Sequence, residues 1–345
     1  MATRTAAIPS IARALRAVAA EPGMAGGPTV AGTRSEYVDL PIGEIGGGNL
    51  LIRTRYASLN YKDALAVTGA GKVVRRLPLV LGCDGMGEVL ESGDSRFTVG
   101  DRVVATGFGL SEDHDGGFAR VMRIPGDWAI PVPESLSDWE SMVLGTAGIT
   151  VALAIHRLEQ VGIAPEHGPV AVTGASGGCG SVAVAMLSGL GYRVTAFTGK
   201  TDEHGYLREL GAAQVLGRPP VAEQTRPLER AQWAAAIDTV GGPVLAWLTR
   251  TMAPQGAIAT FGNAGGIELS TTVLPFILRN VSLLGICTGS FPDGLRRRLW
   301  DRLGEDLRPP TLDRIGTTIG FEEIPAYADR MLAAGVRGRL VVDLG

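Results

Sequence analysis

The chain has 345 residues, 45% hydrophobic and 19% charged, with a formal net charge of −3. That length exceeds one ordinary core, so two domains are expected, and the charge excludes a general attraction for polyanions such as nucleic acid. Its cysteines (Cys83, Cys179, Cys287) and histidines (His114, His156, His167, His204) are spaced like neither a zinc cluster nor a disulfide framework, so no metal is expected.

Residues 1–10 read as a short tail. The apolar stretch 11–20 is interrupted by Arg13 and Arg16, which favours a first strand over an export signal. There is no run of about 18 consecutive apolar residues, so the chain is expected not to span a membrane and to be cytoplasmic. Up to residue 135 the pattern is strand-like at 50–56, 87–90 and 101–105, punctuated by glycine clusters, and predicts a β-rich domain. After Pro131-Val-Pro133, Ser137 caps a helix running to Leu144, and Glu140 completes its capping box. A second helix is predicted over 150–161.

Strands and helices then alternate. Strands are predicted at 170–172, 193–197, 214–216, 235–238 and 257–260, helices at 180–190 and 203–210, and a helical turn followed by a late strand within 275–286. Alternation of this kind builds a doubly wound parallel sheet, here of five or six strands. The tail holds a strand at 315–319, a helix at 324–334 and a closing strand at 338–343, which is expected to return to the first domain. The predicted division is 11–135 with 311–345 for the β-rich domain and 136–310 for the parallel-sheet domain.

The most informative stretch is Thr173-Gly-Ala-Ser-Gly-Gly-Cys-Gly180, which follows an apolar strand and opens a helix. Gly174 allows the tight turn, Gly177, next to Gly178 in the expected cofactor-binding turn, lets the backbone approach a pyrophosphate, and Gly180 permits close helix-to-strand packing. Ser176 and Cys179 lie in the same turn, whose free amides face the ligand's negative oxygens. Some twenty residues on, where an NAD site offers a carboxylate to the ribose, the chain has Thr198, Gly199 and Lys200. A hydroxyl and an ammonium would give charge-assisted bonds to a 2′-phosphate worth roughly 1.5 to 3 kcal/mol each, whereas a carboxylate would repel it. NADPH/NADP+ is therefore the expected cofactor.

These residues carry a resemblance. With Ser58-Leu-Asn-Tyr-Lys-Asp-Ala64, Gly82-Cys-Asp-Gly-Met-Gly87, Asp115-Gly-Gly-Phe-Ala119, Gly145-Thr-Ala-Gly-Ile-Thr150, Ile237-Asp-Thr-Val-Gly241 and Leu274-Pro-Phe-Ile-Leu-Arg-Asn280, the chain resembles medium-chain dehydrogenases/reductases of the zinc-free quinone-oxidoreductase branch. Within that branch it looks like the acryloyl-CoA reductase group. The resemblance implies a GroES-like β domain with a Rossmann domain, a homodimer, and NADPH-dependent reduction of acryloyl-CoA to propanoyl-CoA. It places cofactor contacts at Tyr61, 176–179, 198–200, Asn263, Ile277 and Thr288. Cys179 stands where relatives commonly have valine, and Lys200 where they often have arginine, which keeps the charge but loses the bidentate fork. The ligands used by zinc-dependent members near 60–63 and 82–84, and their four-cysteine lobe, are absent from this sequence.

Such a reductase delivers a hydride to the β carbon of a conjugated carbonyl and must steady the enolate that develops. Tyr61 is the expected cofactor or carbonyl contact, Asn60 a positioning donor, and Asp84 a group ordering that loop or serving as an acid. Lys72, Arg75 and Arg76 form a candidate basic rim for the phosphates of a CoA thioester. A quinone or general enone reductase is the alternative enzyme, and a non-catalytic NADPH sensor the alternative class.

Overall fold

The computed structural model describes residues 8–20, 32–221, 226–289 and 292–345. Most of the expected N-terminal tail, residues 1–7, lies outside these. The chain forms two compact units, one of 1–146, 289–300 and 316–345, the other of 147–288 and 301–315.

In the first unit, β1 (Ile11–Ala19) pairs antiparallel with β2 (Thr33–Pro41) and with the short β4 (Leu79–Val80). A larger sheet is built on β3 (Leu50–Leu59), which pairs antiparallel with β5 (Asp84–Ser92) and β7 (Val121–Ile124). From β5 the sheet continues to β6 (Arg102–Thr106) and β8 (Ile130–Pro131). The predicted strands at 50–56, 87–90 and 101–105 are thus present, the first two longer than the alternation marked and the third shifted by one residue. Helix α1 (Tyr61–Thr68) follows β3 directly and ends at Gly69 in the left-handed conformation. Leu59, Ala64 and Val67 join Leu15, Phe118 and Leu340 in one buried cluster.

The helix capped by Ser137 is present, with Ser137 N and Oγ both donating to Glu140 Oε2 at 2.9 Å. It does not stop at Leu144 and restart at 150. A helical run, α2 (Asp138–Gln160), is broken only at Gly145, with φ 43° and ψ −142°. Being glycine, residue 145 can take that conformation and lie over buried Asp84 and Ser58, since a Cβ would fall 2.9 Å from each side-chain oxygen. By length and composition α2 would suit a membrane, but 78% of its apolar window is buried in the protein.

The second unit holds six parallel strands in the order β11-β10-β9-β12-β13-β14. They are β9 (Val170–Val172), β10 (Val194–Phe197), β11 (Gln214–Leu216), β12 (Trp233–Asp238), β13 (Met252–Thr260) and β14 (Ser282–Gly285). Interleaved are α3 (Gly178–Gly189), α4 (His204–Glu209), α5 (Gly242–Thr251) and α6 (Leu274–Arg279). The short, continuously apolar strands are what a sheet covered on both faces requires, and β9 and β12 are wholly buried. Chain order reverses between β9 and β12, the switch point where such sheets bind ligands.

The last elements are α7 (Asp293–Gly304), α8 (Leu312–Ile315), β15 (Gly316–Gly320), α9 (Ile324–Leu332) and β16 (Arg339–Asp343). As expected, the closing strand returns to the first unit, where β16 lies antiparallel to β3 and parallel to β15. The division differs from the expected boundaries because the chain changes unit near the break at Gly145, not at residue 135. Residues 289–300 also belong with the β unit, where Arg296 is buried, donates to the Thr106 carbonyl at 2.8 Å and covers the Phe108 ring.

Candidate active site

The candidate cofactor site lies within the Rossmann unit. β9 ends at Val172, the chain turns through Gly174 at φ 58°, and α3 begins at Gly178. A Cβ on Gly180 would overlap the Gly174 carbonyl oxygen and sit 2.7 Å from the Ala175 Cα, so the helix can approach the turn only with glycine there. Ala175 N bonds to the Phe197 carbonyl at 3.0 Å, and Ser176 Oγ meets Thr198 Oγ1 at 2.8 Å. The turn after β9 is thereby tied to the end of β10. This cradle, with amides at the start of a 12-residue helix, fits a dinucleotide pyrophosphate.

Thr198 is 5% exposed and its Oγ1 also accepts the Lys200 amide at 3.1 Å. Next to Gly199 lies a residue the sequence did not single out, the exposed Arg218 just past β11. A Cβ on Gly199 would be 3.2 Å from its guanidinium carbon. Two cations, Lys200 and Arg218, therefore flank the end of β10. Arg218 has no motif, and only the parallel pairing of β10 with β11 brings it there.

Asp238, at the end of β12 and fully buried, is a second missed residue. It accepts from Thr173 Oγ1 at 2.7 Å, from Thr260 Oγ1 at 2.9 Å and from the amides of Val240 and Gly241. It locks together the ends of β9, β12 and β13, and its signal was its place at the end of a strand. Asn263 follows β13 and Thr288 follows β14 at the same edge of the sheet as the glycine turn. Ile277 lies instead on α6, 64% exposed.

The β unit supplies the other expected residues. β3 delivers Ser58, Asn60 caps α1, and Tyr61 is the first residue of that helix, 44% exposed. Asn60 N donates to Asp63 Oδ2 at 3.0 Å, and Cys83 N to Asp63 Oδ1 at 2.8 Å. Burial holds the Asp63 carboxyl above the usual carboxylate range, and neighbouring Asp84 adds to the effect. Burial, with Asp63 and Asp84 close by, likewise keeps the Cys83 thiol well above its ordinary value, which makes it an unreactive core thiol.

Asp84, expected among the catalytic groups, is fully buried and ordered from within the unit. It accepts from Ser58 N at 2.8 Å, Ser58 Oγ at 2.6 Å, Thr146 N at 2.9 Å and Asn60 Nδ2 at 3.2 Å. Its place is that of a loop-ordering group, and nothing in the geometry supports proton delivery by it.

The expected basic rim is also changed. Arg75 lies 2.9 Å from Glu112 and 3.7 Å from Asp113, and Arg76 lies 3.6 Å from Asp115 and donates to the Asp113 carbonyl. Lys72 is exposed. The acidic loop facing these arginines offsets most of their charge, because residues 112–115 fold back on the segment before β4.

Among the described residues, no group of three or more His, Cys, Asp or Glu could hold a metal ion. A glycine cradle at a switch point in one unit, in a chain whose other unit has this β topology, points to a dinucleotide-dependent oxidoreductase. Residues 46–134 match the alcohol dehydrogenase GroES-like domain and residues 178–304 the zinc-binding dehydrogenase domain. A Bacillus subtilis protein named "Putative quinone oxidoreductase YhfP" is 45% identical over 86% of this chain and 90% of its own length. Acrylyl-CoA reductase AcuI of Ruegeria pomeroyi is 42% identical over 89% of this chain and 92% of its own. The Salmonella enterica yhdH oxidoreductase, solved in complex with NADP, is 42% identical with a TM-score of 0.90, covering 96% of this chain and 99% of that one. The chain belongs to the medium-chain dehydrogenase/reductase superfamily, in its zinc-free branch close to these proteins, and is an NAD(P)H-dependent oxidoreductase.

Proposed function

We propose that the protein uses NADPH to reduce a small conjugated carbonyl compound, an enone at its CH=CH bond or a quinone to its hydroquinone. The observation that carries this reading is the polar equipment around Tyr61. Its phenol is exposed, while the carboxylates of Asp63 and Asp84 are buried and bonded within the unit. Such a site can polarise a carbonyl by donating a hydrogen bond, whereas neither of these two carboxylates is placed to take a proton from an alcohol.

NADPH, when bound, supplies the hydride. The 174–180 turn would hold its pyrophosphate, and Thr198, Lys200 and Arg218 its 2′-phosphate, with Asn263, Ile277 and Thr288 as further contacts. Tyr61 would donate its hydroxyl proton as a hydrogen bond to the substrate carbonyl oxygen, stabilising the developing enolate. The proton for the α carbon would come from solvent.

A CoA thioester, acryloyl-CoA above all, is the second reading, favoured by the 42% identity to an acrylyl-CoA reductase. Against it stands the pairing of Arg75 and Arg76 with acidic partners, which leaves little net charge for CoA phosphates. A homodimer with a cytoplasmic location completes the proposal. β14 is an edge strand, and nearby Val273 and Leu278 are apolar yet 65% and 63% exposed. Continuous pairing of two edges would cover such a surface.

The test is NADPH oxidation against a simple enone, benzoquinone, crotonoyl-CoA and acryloyl-CoA. A kcat/KM for the enone or quinone at least about tenfold above that for acryloyl-CoA is expected, a difference of about 1.4 kcal/mol in transition-state binding. Preference for acryloyl-CoA would establish the second reading, and tight NADPH binding without turnover of any of the four would indicate a sensor.

A further inference from the structure

From the contacts of a single buried cation in the β unit, and resting on the role proposed for Tyr61, we infer that Arg339 is a positioning residue for the Asn60–Tyr61 turn. It stands at the start of β16, and the register Leu340↔Leu59 sets it opposite Asn60. It is 3% exposed. A guanidinium so deeply buried must have each face of its fork matched by an acceptor.

The three acceptors come from two segments of the unit, α2 and the β3–α1 junction. Nε donates to the Val143 carbonyl at 3.0 Å, Nη1 to Asn60 Oδ1 at 2.9 Å and Nη2 to Ser58 Oγ at 2.6 Å. The first contact anchors the guanidinium to α2 just before its break, and the third ties it to the serine that bonds Asp84. The second decides the state of Asn60. With Oδ1 facing a cation, the amide Nδ2 must point the other way, towards Asp63 Oδ2 at 3.0 Å and Asp84 Oδ2 at 3.2 Å. A flipped amide would set its NH2 against the guanidinium and its oxygen against two carboxylates. The orientation of Asn60 therefore follows from the charges around it.

Asn60 is the residue before Tyr61, and its backbone amide is held by Asp63 across the first turn of α1. The direction of the phenol leaving that turn is thus fixed by an interlocked set in which Arg339 supplies the fork. Lysine in its place would keep the charge but can hold only part of this geometry, having one nitrogen where three acceptors are arrayed. Misplacing a group by an ångström costs up to about a hundredfold in rate, so loss of the fork is felt at Tyr61 before it is felt at the dinucleotide.

The experiment is a double-variant cycle on the full-length enzyme with the best enone or quinone substrate. Arg339→Gln is expected to lower kcat by roughly tenfold or more, with the dissociation constant for NADPH within about twofold and far-ultraviolet circular dichroism unchanged. Tyr61→Phe is expected to lower kcat similarly. The double variant should then be no worse than Tyr61→Phe by more than about twofold, because both changes remove the same alignment. Multiplicative losses in the double variant, or Arg339→Gln turning over within twofold of wild type, would overturn the inference while leaving the Tyr61 role intact. Full activity of Tyr61→Phe would overturn that role and this inference with it. If Arg339→Gln does not accumulate as folded protein, Arg339→Lys, which retains the buried charge, is judged in the cycle by the same criteria.

Discussion

The choice between two phosphorylation states of one ribose rests on a few atoms at the end of β10. Lys200 was visible in the sequence because it stands where a carboxylate would otherwise be. Arg218 was not, since nothing in a linear reading sets residue 218 beside residue 199. Both cations act on the same phosphate in the proposed complex, so Lys200→Ala and Arg218→Ala should each raise the dissociation constant for NADPH about ten- to a hundredfold. That corresponds to the loss of one charge-assisted bond of about 1.5 to 3 kcal/mol. Binding of NADH, which has nothing to present to them, should change by less than about threefold. Isothermal calorimetry with both nucleotides measures the contrast, and equal wild-type affinities for the two, with Lys200→Ala weakening neither, would defeat the assignment. Asp84 teaches the opposite lesson. Its position within Gly82–Gly87 was legible and its burial was not, because the donors that fill it come from Ser58, Asn60 and Thr146, on other segments.

Among the elements, those with strong periodicity or sharp punctuation were legible, and those defined by tertiary pairing were not. The glycine turn, α3, β9 and β11 stand where the pattern predicts them, because buried strands and a glycine-opened helix leave a local mark. The break in α2 was read as a gap of several residues, although Gly145 alone turns the chain and helix resumes at once. Nothing local announces that Gly145 must lie over Asp84. The same physical distinction separates two glycines of α3. Gly180→Ala should weaken NADPH binding by at least about tenfold and lower the melting temperature, because a Cβ collides with the Gly174 carbonyl. Gly189→Ala meets open space in the last turn and should leave binding unchanged, adding up to about 1 kcal/mol from helix propensity. Scanning calorimetry and nucleotide titration of both variants check the pair, and equal effects would mean that the contact at Gly180 is not what demands glycine.

At the scale of the whole molecule, the proposed homodimer would cover the apolar residues exposed beside β14. Val273→Glu with Leu278→Glu should convert a particle of twice the 35.9 kDa chain mass into one of that mass. Light scattering decides it, and a wild-type protein already at the single-chain mass would remove the proposal. The chain's path adds one further consequence. Because β3 pairs through Tyr56–Leu59 with Leu340–Asp343 of β16, about 280 residues further along the chain, that flank of β3 stays open in a nascent chain long after its other partner strands have been made. The parallel sheet, whose strands are all made by residue 285, can close before then. Termination of synthesis before β16 would therefore leave a finished nucleotide unit joined to a β layer with an unzipped seam, a form prone to self-association.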